Sequence, residues 1–579
     1  MARSISRNSP KVLKIKMIRL KRIKRIFGSS NALFFLIALV MAPSCELNLN
    51  ADSEVYIRFN QLGFNTNDYK SAVILSKGEL AGKSFSVISA IKKEEVYTGV
   101  VPKNLGQFGN FAFTYDLDFS SLKIKGEYYI QLGRKKSSTF KIGENVYSGL
   151  ADSLLKFFTV QRCGYTNPYL HKICHIADAT SIIDGKKIIQ SKYDVTGGWH
   201  DAGDYVKFLN TTAFSTYMLI FSYEFDPVKF GFDHDKNGVP DLLDEAKIGL
   251  DWLLRCAYSD TKFITQVQDL RDHDVGWRMP EDDKLGFDRP AFLGMGKNLI
   301  GIYSATMALA SRIWKDKIHD IEFSKKCLSA AEKYFSVRNK VADIDTSGTG
   351  HYRDEKYFGK LSLAAIELYQ ATSNKSYLDE AAILADSAKS DYWWSWGNIN
   401  SLADYKLAKI FPKYSLYIKN NLDDFNKRKN NNLFNKGTEL SWGTNVTLLG
   451  ISLQNILYKR LTGDASYDSL SVLQRDFILG RNQWGVSFIS NAGKNHSKNF
   501  HHQIGYIKGN LPGGFAAGPA KKEFVQKSKI NFEKQDEYFL FQTDEDYYRD
   551  DRMDYITNEP TITGNATAIF VFGNLAFAN

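Results

Sequence analysis

The hydrophobic period of the chain changes once, near residue 147. Before that point apolar and polar residues alternate. Residues 55–59, 72–75, 85–88, 96–100, 111–115, 128–132 and 139–142 each read as a short strand, and Gly, Asn, Asp and Lys separate them. Period-two patterning lets alternate side chains be buried between two sheets, so residues 54–145 are expected to form a β-sandwich of immunoglobulin type. From 147 to 579 the period is helical. Leu242, Leu243, Ala246, Leu250, Leu253 and Leu254 share one face after a Pro240–Asp241 start. Residues 300–310 form a run of small and apolar residues suited to tight helix packing. Residues 368–377 resemble residues 457–467, and each reads as a helix end, a turn and the next helix start. Helical hairpins repeated over this length point to a closed α/α toroid.

Residues 1–45 follow a third pattern. Residues 11–25 are densely basic, and 32–42 form an apolar run too short to span a bilayer comfortably. The run ends in Ala42-Pro43-Ser44-Cys45, which resembles a bacterial lipobox with Cys45 as the lipidated residue. The segment therefore reads as an export signal. An acylated Cys45 would anchor an outer-membrane lipoprotein without a transmembrane helix; a plain secretory signal with an incidental Cys is the alternative. The signal also explains the charge. The formal net charge is +11, but residues 1–44 carry ten Lys or Arg and no acid, leaving 11 − 10 = +1. Near-neutrality gives no electrostatic case for nucleic acid. No organic cofactor is implied, and the protein is expected to be a monomer.

Two segments carry candidate chemistry. The first runs Gly197-Gly-Trp-His200-Asp201-Ala-Gly-Asp204-Tyr205; the second, from Tyr548 to Ala566, contains Glu559. Together they supply a lone carboxylic acid and a paired carboxylate. Inverting cleavage of a glycosidic bond needs this set: one carboxyl protonates the leaving oxygen, and another activates water at about 6.5–9.5 Å from it. Glu559 is the expected acid, Asp204 the base and Asp201 its helper in holding the water. Two like charges three residues apart repel when desolvated, so one of the pair must be strongly hydrogen-bonded.

These motifs resemble glycoside hydrolase family 9. Residues 548–566 match its second active-site signature, residues 199–205 its paired-aspartate loop, and residues 55–64 the opening of the Ig-like module that precedes many of its barrels. Asn237 to Ala246 and Leu479 to Asn482 are also typical. The resemblance covers roughly residues 54–579. It implies an Ig-like β-sandwich on an (α/α)6 barrel, and endo-type hydrolysis of β-1,4-glucans such as cellulose, mixed-linkage glucan or xyloglucan. An exo-acting β-glucosidase or glucosaminidase, and a catalytically inactive glycan-binding lipoprotein, are the competing readings.

Cys163, Cys174, His175 and His200 match a closed structural zinc site, which the resemblance also implies. A Cys163–Cys174 disulfide is the alternative in an exported protein. Cys256 and Cys327 lie in helical apolar patterns and read as buried thiols. Asp233, Asp235, Asn237 and Asp241 resemble the start of a calcium loop; a polar loop capping the next helix is the alternative. His501, beside His502, falls where the family binds sugar. The family usually has Arg two residues later, whereas this chain has Gln503, a neutral and weaker donor. Phe500 also departs from the family pattern. Trp442, Trp277 and the cluster Trp393, Trp394 and Trp396 are candidate sugar platforms.

Overall fold

The computed structural model describes residues 54–190, 193–349, 352 and 354–576. The expected export segment and Cys45 lie outside these residues. Among the described residues no helix is long and apolar enough to cross a membrane.

All seven expected strands form, with ends within two residues of the sequence pattern except that expected at 111–115, which runs on to Asp118. One sheet runs Val55–Arg58, Ser71–Ser76, Phe113–Asp118. The other runs Gly63–Asn65, Phe140–Gly143, Gly126–Leu132, Ser84–Ser89, Glu95–Val100, with Lys135–Lys136 paired to Gly126–Leu132. The central strand Ser71–Ser76 is buried on both faces. Ala72 and Ile74 point into the sandwich core, while Val73 and Leu75 join the core of the helical domain. This explains its unbroken apolar run, since alternation disappears when both faces of a strand are covered.

The helical domain closes into a ring. Leu209–Phe225, Lys297–Ile313, Phe358–Thr372, Asn400–Ala408, Thr444–Thr462 and Ile562–Leu575 each pack on the next, and the last returns to the first. Leu150–Gln161, Asp241–Cys256, Ile321–Ser336, Lys375–Ala388, Ser415–Lys429 and Asp468–Ile478 pack outside them. The division follows from sequence. Leu209–Phe225 is buried nearly all round, whereas Ile321–Ser336 buries Cys327, Ala331, Tyr334 and Phe335 on one face. Both repeated segments are turns from an inner to an outer helix, passing through left-handed Ser373 and Gly463. The sequence pattern did not reveal a five-stranded sheet built from Lys187–Gln190, Ser181–Asp184, Ala291–Gly294, Phe263–Val267 and Lys207–Phe208. These strands are short pieces within inter-helix loops, too brief to show a period.

The Asn60-Gln61 and Leu479–Asn482 motifs meet at the junction of the two domains. Buried Asn60 Nδ2 donates to Tyr147 OH at 2.9 Å and to Asp476 Oδ1 at 2.7 Å. Gln61 N–H donates to Leu479 O at 3.0 Å. Arg475 Nη1 reaches Asp68 at 2.8 Å, and Arg481 Nη2 reaches Asp116 at 2.9 Å. Their motif-like character is therefore that of an interdomain clamp.

Candidate active site

The inner helices present their N-terminal ends to one rim of the barrel. The loops before Leu209, Phe358, Thr444 and Ile562 carry Asp201 and Asp204, Tyr352, Trp442, and Glu559 respectively. Backbone hydrogen bonds lock these loops together. Ile562 N–H donates to Asp201 O at 3.0 Å, Gln503 N–H to Gly203 O at 3.1 Å, and Ala517 N–H to Glu559 O at 3.1 Å. Gly203 is required: a Cβ there would sit 2.1 Å from His501 O. Its N–H donates to Glu559 Oε1 at 3.2 Å, which ties the acid to the aspartate loop. Beneath the loop, Lys207 Nζ donates to Gly197 O at 2.8 Å and Arg289 Nη2 to Tyr205 O at 2.6 Å.

The three carboxyls sit in unequal surroundings. Burial, then the negative charge of Asp204, pushes Glu559 up to about 8, so it holds its proton at neutral pH. Asp204 is the opposite case. Burial opposes its ionisation, but the hydrogen bond and positive charge of His273 and the Val206 N–H outweigh this and hold it below the ordinary value. His273 Nε2 lies 3.0 Å from Asp204 Oδ2, and Val206 N–H donates to Oδ1 at 2.9 Å. Asp201 lies deeper. Thr211 Oγ1 donates to its Oδ1 at 2.5 Å, and Tyr352 OH donates to Oδ2. Burial raises Asp201 to about 7 despite these bonds. Both aspartates thus accept two hydrogen bonds, and Asp204, whose partner His273 is a cation, is the one held ionised.

Tyr352, Thr211 and His273 carry no motif that marks them in sequence. His273 lies in an Asp272-His273-Asp274 stretch that reads as a solvated loop.

The sugar candidates separate clearly. His501 Nδ1 donates to Arg552 O at 2.7 Å, and its ring lies 5.1 Å from Trp277 and 5.8 Å from Tyr555. His502 is buried, bonds Gln161 Oε1 at 2.7 Å, and caps the next helix. Trp442 is 56% exposed and 5.6 Å from Tyr555, which leaves a face free. Gln503 is turned inward: its Oε1 accepts from Arg278 N and Nη1, both at 3.2 Å. Of the tryptophan cluster, Trp394 is core, and Trp396 packs edge-on against Tyr352 at 5.3 Å.

Cys163, Cys174, His175 and His200 converge. One ligand atom of each lies within 4.8 Å of all the others, and all four residues are buried. Both cysteines are free thiols, so the alternative disulfide is not formed. Asp283 Oδ2 lies 3.0 Å from His175 Nε2, which leaves Nδ1 facing Cys163 Sγ at 3.8 Å and His200 Nε2 at 3.0 Å. This carboxylate–imidazole pairing is the usual support of a metal-binding histidine. The donor set fits a tetrahedral ion bound by sulfur and nitrogen, directly behind Asp201. Cys256 and Cys327 are buried elsewhere.

Asp233, Asp235 and Asp241 also converge. The Asn237 amide is committed, with Nδ2 donating to Asp244 at 2.7 Å and Oδ1 accepting from Val239 N–H at 2.7 Å. Asp241 is shared with His234 at 2.6 Å.

Comparison with known proteins agrees with this architecture. The family model described as glycosyl hydrolase family 9 matches residues 147–572, and that of the cellulase N-terminal ig-like domain matches residues 52–137. Endoglucanase D of Acetivibrio thermocellus is 27% identical over 84% of this chain and 81% of its own. The xyloglucan-specific endo-beta-1,4-glucanase BoGH9A of Bacteroides ovatus is 26% identical over 92% and 96%. A solved metagenome-derived family 9 endoglucanase superposes with a TM-score of 0.76 at 25% identity, covering 90% of this chain and 99% of its own. The chain belongs to glycosyl hydrolase family 9 and is a glycoside hydrolase of the endoglucanase type.

Proposed function

We propose that the protein cleaves internal β-1,4 bonds of a soluble glucan with inversion, using Glu559 as acid and Asp204 as base. Glu559 gives its proton to the glycosidic oxygen as that C–O bond breaks. Asp204 takes a proton from the water that attacks the anomeric carbon from the opposite face. Asp201, held by Thr211 and Tyr352, accepts the water's second hydrogen and fixes its position. Solvent then returns a proton to Glu559 and removes one from Asp204. The observation that carries this reading is the opposite displacement of two carboxyls on one rim, Glu559 up to about 8 and Asp204 below its ordinary value.

Trp277, Trp442 and Tyr555 supply ring faces for sugar, and His501, whose Nδ1–H is held by Arg552 O, offers Nε2 as an acceptor for a sugar hydroxyl. Gln503, held inward by Arg278 and Asp272, braces the wall of the site. The high coverage shared with a xyloglucan-specific relative supports xyloglucan and mixed-linkage glucan as substrates. Zinc is the ion that the Cys2His2 set favours, and its role is structural, because four protein ligands leave no open position. Calcium at Asp233, Asp235 and Asp241 would brace the start of the Asp241–Cys256 helix. Export and anchoring through Cys45 complete the reading, with glucan degradation at the cell envelope.

Product analysis on carboxymethyl cellulose, mixed-linkage glucan, xyloglucan and cello-oligosaccharides tests it. Mixed oligomers with a rapid loss of viscosity are expected. Monosaccharide alone would establish exo action, and no product would revive the reading of a catalytically inactive glycan-binding protein.

A further inference from the structure

We propose that a second groove, beside the junction of sandwich and barrel, binds a neutral oligosaccharide. The inference rests on the β-glucan reading and extends it to an accessory site. The groove has a volume of about 1040 Å3, and its walls come from the Leu150–Gln161 helix, the 167–169 loop, the 490–493 loop and the 510–513 loop, with Leu62 added from the sandwich. That is room for several sugar units rather than one.

The lining chemistry selects the ligand. Its side chains are mainly short neutral donors and acceptors, among them Ser153, Thr159, Asn167, Asn491 and Asn510. Asn167 and Asn510 are exposed, and their amides make no hydrogen bond to protein among the described residues. Sugar hydroxyls are the natural partners of such amides. Charge is almost cancelled. Arg162 is committed to Glu245 at 2.7 Å, which leaves Asp152 and Lys156 with opposite signs. Neither an anionic nor a cationic ligand gains from such a surface.

Tyr169 supplies the platform. Its side chain lines the groove and it is 51% exposed, while its backbone N–H is pinned to Thr159 O at 2.8 Å. A half-exposed ring on an anchored backbone offers a face on which a pyranose stacks. The 490–493 and 510–513 loops bracket the stretch that carries His501 and Gln503. One chain segment therefore serves both the groove and the active-site wall.

The test is affinity electrophoresis through gels containing soluble mixed-linkage glucan or xyloglucan. Carrying the changes in a Glu559→Gln background keeps the gel undigested. Tyr169→Ala is expected to weaken retardation at least threefold and Asn510→Ala about twofold, without change in the unfolding temperature. In the otherwise intact enzyme, both variants should keep kcat/KM on cellotetraose, which needs only the active site, and show it lowered about two- to threefold on the polymer. Retardation equal to that of the parent in both variants would overturn the groove. An intact enzyme that hydrolyses no β-glucan would instead overturn the active-site reading. The groove would survive that result only if Tyr169→Ala weakened retardation to the same extent in a gel of another neutral glycan.

Discussion

Replacing His273 by Ala should move the acid limb of the activity profile upward. The side chain lies 3.0 Å from Asp204 Oδ2, and its pKa is raised from 6.5 to about 9, first by that hydrogen bond and then by the Asp204 charge beyond the cost of burial. A displacement of this size corresponds to ~3 kcal/mol of coupling at one pKa unit per 1.36 kcal/mol. The ring is 41% exposed, so solvent screening reduces the usable part to ~1–1.5 kcal/mol. Coupling is reciprocal, so Asp204 loses the same amount of support for its anion. Its pKa then rises, and the acid limb of kcat/KM should shift up by about one pH unit. Glu559 loses a neighbouring positive charge that had opposed its high pKa, so the alkaline limb also moves up, by less. The imidazolium stabilises the fold while Asp204 is ionised. That contribution is complete below pH 6.5 and fades as pH rises through about 9. The assay is kcat/KM on soluble mixed-linkage glucan from pH 2.5 to 10, with unfolding temperature measured alongside. An acid limb that stays fixed or moves down would show that His273 does not set the charge of Asp204.

Glu559→Gln should lower kcat by about 10²–10⁴-fold with little change in KM, read as reducing ends released; undiminished hydrolysis would remove Glu559 as the acid. Tyr352→Phe strips a donor from buried Asp201, and its cost of ~1–3 kcal/mol should appear in kcat more than in KM. Asp283→Asn should speed the loss of zinc to a chelator about 10–100-fold, as measured by metal analysis; unchanged retention would show that Asp283 does not support His175. Asn60→Ala leaves Asp476 without its interdomain donor, and the lost ~1–3 kcal/mol should lower the unfolding temperature while sparing kcat. Equal unfolding temperatures would show that the clamp adds nothing to stability.

Local sequence determined the elements because burial imposes a period. Alternation marked the strands, a run of small and apolar residues marked the inner helix around 300–310, and a single apolar face marked the outer helix Asp241–Cys256. The carboxylates Asp201, Asp204 and Glu559 were legible because close spacing and a long flanking motif survive in one dimension. So were the zinc candidates, where thiols and imidazoles are rare enough to be conspicuous. What tertiary structure alone decided was electrostatic. Two aspartates three residues apart are equivalent on paper. They differ because Thr211 and Tyr352 reach Asp201 while His273 reaches Asp204, across 10, 151 and 69 residues respectively. The inward turn of Gln503 and the neutral groove around Tyr169 likewise depend on residues from distant loops. A pKa is set by what surrounds a group, and those neighbours are assembled only when the ring closes.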